Sequence, residues 1–124
     1  MTLLKSKLPL EYLKEQTLDD SGLHDVNLIN YYELLVSQGD SKAILELAQL
    51  LLDRGYEPDY RRAADLYRKA SSDFPMAAAR LGRLYMDGRG VLQDYKSAQE
   101  WLQKAADKKN PMGMTYLGIM YEMA

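Results

Sequence analysis

The chain has 124 residues, 47% apolar and 27% charged, which suits one domain or one array of repeats and argues against intrinsic disorder. Its 16 basic and 18 acidic residues leave a net charge of -2, so the electrostatic footprint of a nucleic-acid binder is missing. Cysteine is absent, excluding disulfides, thiolate metal sites and a cysteine nucleophile, and no stretch approaches the 18 apolar residues that would span a membrane. The first twenty residues, MTLLKSKLPLEYLKEQTLDD, are too interrupted by charge to read as a secretory signal, so a cytoplasmic location is expected.

Helices are expected near 9–18, 25–38, 41–53, 59–72, 76–87, 94–108 and 112–123, and they recur in pairs. Leu47-Ala48-Gln49-Leu50-Leu51 lies 34 residues before Leu81-Gly82-Arg83-Leu84-Tyr85, which lies 36 before Leu117-Gly118-Ile119-Met120-Tyr121. Asp59-Tyr60-Arg61-Arg62-Ala63 matches Asp94-Tyr95-Lys96-Ser97-Ala98 at 35, followed by Leu66 with Trp101 and Lys69-Ala70 with Lys104-Ala105. A faint copy aligns Asp25 with Asp59, Tyr32 with Leu66 and Val36 with Ala70, while Leu13 precedes Leu47 by 34. Periods in this range signal stacked helical hairpins. The array divides into a degenerate N-terminal cap hairpin (8–38), repeats at 39–74 and 75–110, and a half repeat at 111–124 that supplies only a first helix. The fold expected is all-α, a right-handed superhelix of about three and a half hairpins.

The second repeat shows the local logic. Pro75 suits a first helical turn, and Ala77, Ala78 and Ala79 favour helix. Small or apolar residues at 78, 81, 82, 85 and 86 form one face, and Gly88 and Gly90 end the helix. Asp25, Asp59 and Asp94 are expected N-caps of the second helices. Val91, Tyr95, Ala98, Trp101, Leu102 and Ala105 are the expected buried stripe of the helix after Asp94. Lys104, Lys108 and Lys109 crowd its C-terminal end, where the helix dipole favours cations.

The run Leu81-Gly82-x-Leu84-Tyr85-x-x-Gly88-x-Gly90-Val91-x-x-Asp94-x-x-x-Ala98-x-x-Trp101-x-x-Lys104-Ala105-Ala106 resembles a Sel-one-like repeat, a relative of the tetratricopeptide repeat. The resemblance covers residues 40–124 well and 8–39 weakly, with Ala48 and Arg54 departing from Gly82 and Gly88. In this motif the small residue (Ala48, Gly82, Gly118) admits the paired helix closely, while Tyr85 and Trp101 fill the seam. Similar proteins are superhelical scaffolds that bind peptides or proteins, so the resemblance implies an interaction module without cofactor.

Candidate chemistry is sparse. His24 stands beside Ser21 and Asp25, but neighbours in one loop seldom converge as a triad. Asp19, Asp20 and Asp25 lack the spacing of a calcium loop, so no metal is expected. Gly88-Arg89-Gly90 reads as a turn, not a phosphate cradle. Arg61-Arg62 and Lys108-Lys109 read as solvated faces, not nucleic-acid contacts. Of the ten tyrosines, Tyr85, Tyr95 and Tyr121 are expected in the core, and Tyr12, Tyr56 and Tyr116 are candidate partner anchors. The chain is therefore expected not to be an enzyme. A hydrolase, suggested for some relatives, is the alternative, though no nucleophile and base can be named for it.

First helices line the inner face of stacked hairpins, and their equivalent polar positions are Tyr12, Glu46, Arg80 and Tyr116, then Glu15, Gln49, Arg83 and Ile119, with Asp53 and Asp87 beyond. Arginine and tyrosine are favoured binding hot spots. The expected partner-binding set is Tyr12, Glu46, Gln49, Asp53, Arg80, Arg83, Asp87 and Tyr116, facing a peptide or protein. An immunity-type or regulatory inhibitor of a folded partner is a variant of this reading. The final 13 residues hold Met112, Met114, Met120 and Met123. Met114, Leu117, Met120 and Tyr121 form an expected apolar interface, which could continue a longer repeat protein, join a second copy as a homo-oligomer, or close the array as a lid.

Overall fold

The structure, a computed structural model, describes residues 23–123. Among these are six helices and no strand: α1 (Leu23–Ser37), α2 (Ser41–Arg54), α3 (Glu57–Ala70), α4 (Pro75–Asp87), α5 (Tyr95–Asp107) and α6 (Pro111–Met123). The helix expected at 9–18, with Leu13 and Glu15, lies outside the described residues. Each helix packs on the next, so hairpins α2–α3 and α4–α5 stack as a solenoid, and the first helices α4 and α6 also touch.

Caps set most boundaries. Asp94 Oδ1 accepts from the N–H groups of Lys96 at 3.0 Å and Ser97 at 3.2 Å, and Oδ2 accepts from the Ser97 hydroxyl at 2.8 Å. Asp40 Oδ1 likewise accepts from the N–H groups of Lys42 and Ala43 at the start of α2. Asp59 is not a cap. Pro58 in the first turn lets α3 begin at Glu57 with Tyr56 as N-cap, so Asp59 is internal and instead faces Arg54 Nε at 3.3 Å. Asp25 likewise stands inside α1. Val91 precedes α5 and packs, half-buried, against the α1–α4 core.

That core joins Ile29 and Tyr32 of α1 to Leu47, Ala48, Ala63, Leu66, Tyr67, Leu81 and Leu84. A second cluster, Ala78, Ala79, Leu102, Ala105 and Leu117, continues it through α5 and α6, with Trp101 packed against both. Each fully buried leucine contributes about 2 kcal/mol. Alanines on facing helices let backbones draw together, and at two sites even alanine is too large. A Cβ on Gly82 would stand 2.7 Å from Leu102 Cγ and 3.1 Å from the Ala98 carbonyl oxygen. One on Gly113 would stand 2.6 Å from Ala105 Cβ and 3.0 Å from Ala106 N. Gly118, expected to act as Gly82 does, has nothing within 4 Å. The close approach to α6 is made at Gly113, one turn earlier and on the other side.

Of the three tyrosines assigned to the core, two are placed elsewhere. Tyr85 is half-buried and packs against the core, but Tyr95 is 47% and Tyr121 62% exposed, since both sit on helix faces that no described element covers.

Two predictions follow from packing and capping. Gly82→Ala lowers stability by about 1–3 kcal/mol, a thermal midpoint roughly 5–10 °C lower. Gly118→Ala leaves it unchanged or raises it by up to about 1 kcal/mol through helix propensity, and calorimetry on both variants checks the contrast. Hydrogen bonds from the Ser97 hydroxyl and then the Ser97 N–H hold the Asp94 carboxyl below its ordinary 3.8. Its contribution is therefore present above that value and lost as pH falls through the lower folded one. Asp94→Asn keeps the cap without the titration, so acid titrations should show wild type losing stability more steeply than the variant below pH 3.8.

Candidate partner-binding groove

The inner row is built by polar residues one and two turns apart on α2, α4 and α6. On α4, Arg83 Nε donates to Asp87 Oδ2 at 2.8 Å, and its Nη1 donates to the hydroxyl of Tyr116 on α6. The guanidinium carbon lies 4.8 Å from the Tyr116 ring centroid, so charge, hydrogen bond and stacking act together. The hydrogen bond to Asp87 is the main cause that keeps the Arg83 pKa above its ordinary value. Because Arg83 and Asp87 are substantially exposed, the ion pair fixes geometry more than it adds stability.

On α2, Gln49 Nε2 donates to Asp53 Oδ1 at 2.9 Å, the same i,i+4 arrangement. Glu46 and Asp53 are exposed and Arg80 is half-buried. Tyr67 of α3 is fully buried, with its ring in the core, and its hydroxyl reaches the charged groups of the row. Burial pushes this phenol up to about 12, Arg80 opposes the rise, and Asp53 and Glu46 add to it. Although Arg80 lies close to it, the hydroxyl makes no well-formed hydrogen bond among the described residues, and neither does the buried Gln49 Oε1.

Between these side chains lies a hollow of about 160 Å³, lined by Arg80, Arg83, Arg89, Asp87 and Tyr116 over Leu52, Leu84 and Met112. It draws on α2, α4, α6 and the turn after α4. Larger hollows, about 530 and 460 Å³, lie around Lys104 and Asp107, away from the row of first helices. They are surface hollows without orphaned buried polar atoms among the described residues.

The structure thus brings together Arg80, Arg83, Asp87 and Tyr116 around the hollow, and joins Gln49 to Asp53 on α2. Glu46 reaches this group only by its field. Tyr12 lies outside the described residues. Tyr56, the other suggested anchor, is 58% exposed beneath Arg54, well apart from the row.

One lining residue and one buried neighbour of the row escaped the sequence reading. Arg89 was read only as part of a turn, yet it lines the hollow and stacks on Tyr60. Tyr67 stands where the next repeat has Leu102, and that apolar-to-phenol exchange at an equivalent buried position was the available signal.

The apolar set on α6 divides. Leu117 is 7% exposed and belongs to the core with Ala78 and Leu102, so it cannot form an interface. Met120 is half-buried against the same cluster. Met114 and Tyr121 are exposed, joined by Ile119 and Met123. No helix among the described residues is long and apolar enough to cross a membrane.

Comparison with known proteins fits this geometry. A family model described as Sel1 repeat matches residues 41–73 and 75–110. Among solved structures, a Sel1 repeat protein from Oxalobacter formigenes is 27% identical, with a TM-score of 0.65, over 94% of this chain and 93% of that one. The protective antigen c5321 of uropathogenic Escherichia coli strains, which displays an SLR fold, is 25% identical with a TM-score of 0.72 over 90% of this chain. The chain spans only 24% of that antigen. No curated protein matches the sequence. Sel1 repeats are typically protein–protein interaction modules and are generally non-catalytic scaffolds. With two repeats recognised over more than half of its length and stacked as these neighbours stack theirs, the chain belongs to the Sel1 repeat family.

Proposed function

We propose that the chain is a non-catalytic adaptor whose row of first helices receives a peptide or protein partner. The observation that carries this reading is the Arg83–Tyr116 bridge, which joins consecutive repeats across the rim of a three-arginine hollow. Arginine and tyrosine contribute most to binding when packed around a partially desolvated centre, and here both are held in place before a partner arrives. Division of the chain into repeats at 39–74 and 75–110 is part of this proposal, because each repeat supplies one first helix to the row.

A second reading, association of two copies through α6, is favoured by Met114, Ile119, Tyr121 and Met123, all at least 40% exposed on a helix whose sole charge is Glu122. A helix apolar all round normally has cover on every side. Sedimentation that finds a strict monomer at high concentration removes this second reading.

For the groove, partners are identified by crosslinking and mass spectrometry and then recovered with wild type and with Arg80→Glu/Arg83→Glu. Loss of two central arginines should reduce recovery about tenfold or more, with the helical circular dichroism signal unchanged. Gln99→Glu on α5, outside the groove, should recover partners as wild type does. Equal recovery by the double variant would contradict the proposal.

A further inference from the structure

Three guanidinium groups and one carboxylate line the same hollow of about 160 Å³, so its wall is positive in a chain whose net charge is -2. The three arginines are unequally engaged. Arg83 is occupied, its Nε donating to Asp87 and its Nη1 to the Tyr116 hydroxyl. Arg80 and Arg89 form no ion pair among the described residues. Glu46 and Asp53, the acids of the row on α2, do not line the hollow, and Asp53 accepts from Gln49 instead.

Both unneutralised arginines suit an incoming acceptor. Arg80 is half-buried, so its charge is partly stripped of water and attracts an anion more strongly than a surface arginine does. Arg89 is exposed but braced, its guanidinium carbon 5.6 Å from the Tyr60 ring centroid. Stacking uses the flat face of a guanidinium and leaves its N–H edge for an acceptor. The rest of the lining is aliphatic, from Leu52, Leu84 and Met112. At about 30 Å³ per water the space holds roughly five waters, or a side chain of about five heavy atoms. Asp87 on the wall repels a second negative charge, which disfavours a phosphate dianion. A single negative charge on a short apolar stem meets all these conditions.

We propose that the hollow lined by Arg80, Arg83 and Arg89 is a receptor for a glutamate side chain of the partner, whose carboxylate accepts from Arg80 and Arg89 while its methylenes lie against Leu84 and Met112. This rests on the reading of the groove as the partner site and specifies what that groove recognises. Arg83, held by Asp87 and Tyr116, is a wall of the receptor and not its anion ligand.

The test is a titration of isotopically labelled full chain at low salt, followed by NMR at the Arg80 and Arg89 Nε–H groups and the Met112 methyl. The probes are acetyl-Gly-Glu-Gly-amide, its Gln counterpart, acetyl-Gly-Gly-Gly with a free C-terminal carboxylate, and inorganic phosphate. Saturable shifts at all three reporters with the Glu peptide, at least about fivefold weaker with the Gln peptide, support the proposal. Raising the salt should weaken the Glu response. Equal affinity for the Glu and Gln peptides, or no saturable shift at these reporters, overturns it. A response to the free C-terminus or to phosphate that matches the Glu response overturns it as well. Arg89→Gln changes an exposed turn residue, so the helical circular dichroism signal should stay as in wild type while Glu-peptide affinity falls about three- to tenfold. Unchanged affinity in that variant contradicts the proposal. The groove itself is judged separately: loss of the crosslinked partner by Arg80→Glu/Arg83→Glu without any Glu-peptide response discards the receptor and keeps the partner site.

Discussion

The fold depends on how closely consecutive helices approach, within a hairpin and between hairpins. At Gly82 the side chain of Leu102 occupies the space a Cβ would need, and at Gly113 the backbone of α5 comes within contact of α6. Such approaches bury small residues completely, as the fully enclosed Ala48, Ala63, Ala79 and Ala98 show. Tight packing converts a chain with one tryptophan and one phenylalanine into a continuous core. It also fixes the rotation of every first helix, and therefore which residues face inward.

The groove follows from that rotation. Once α4 and α6 stand side by side, equivalent positions become neighbours across the stack, and a difference between repeats becomes a difference between adjacent side chains. Arg83 on α4 pairs with Tyr116 on α6. At the equivalent position on α2, Gln49 bonds only Asp53 of its own helix among the described residues.

Much of the architecture was legible in the sequence because helices and caps answer to local chemistry. Pro75, the alanines after it and Asp94 act as short-range rules require, and the recurrence near 35 residues implied stacking before any coordinates. Asp59 shows where local rules compete: it resembles a cap in the aligned repeat, but Pro58 starts the helix earlier and hands the aspartate to Arg54. Gly118 and Tyr121 align with residues that serve the core, yet no described helix covers their face, so register alone misplaces them. For the site, the sequence named the row of first-helix positions but not its contents. The bridge from Arg83 to Tyr116 spans 33 residues, and Tyr67 reaches the row from a second helix. Neither connection has a signature in spacing.

The claim beneath all of this is that paired helices touch at their small residues and thereby set the phase of the row. A nuclear Overhauser spectrum of the intact chain tests it most directly. The account predicts strong cross-peaks from the Leu102 methyl protons to the Gly82 α-protons, and from Tyr116 ring protons to the side chain of Arg83. Helices that form but give neither set of cross-peaks would contradict it, because the hairpins would then be packed in some other phase and the inner row would not exist.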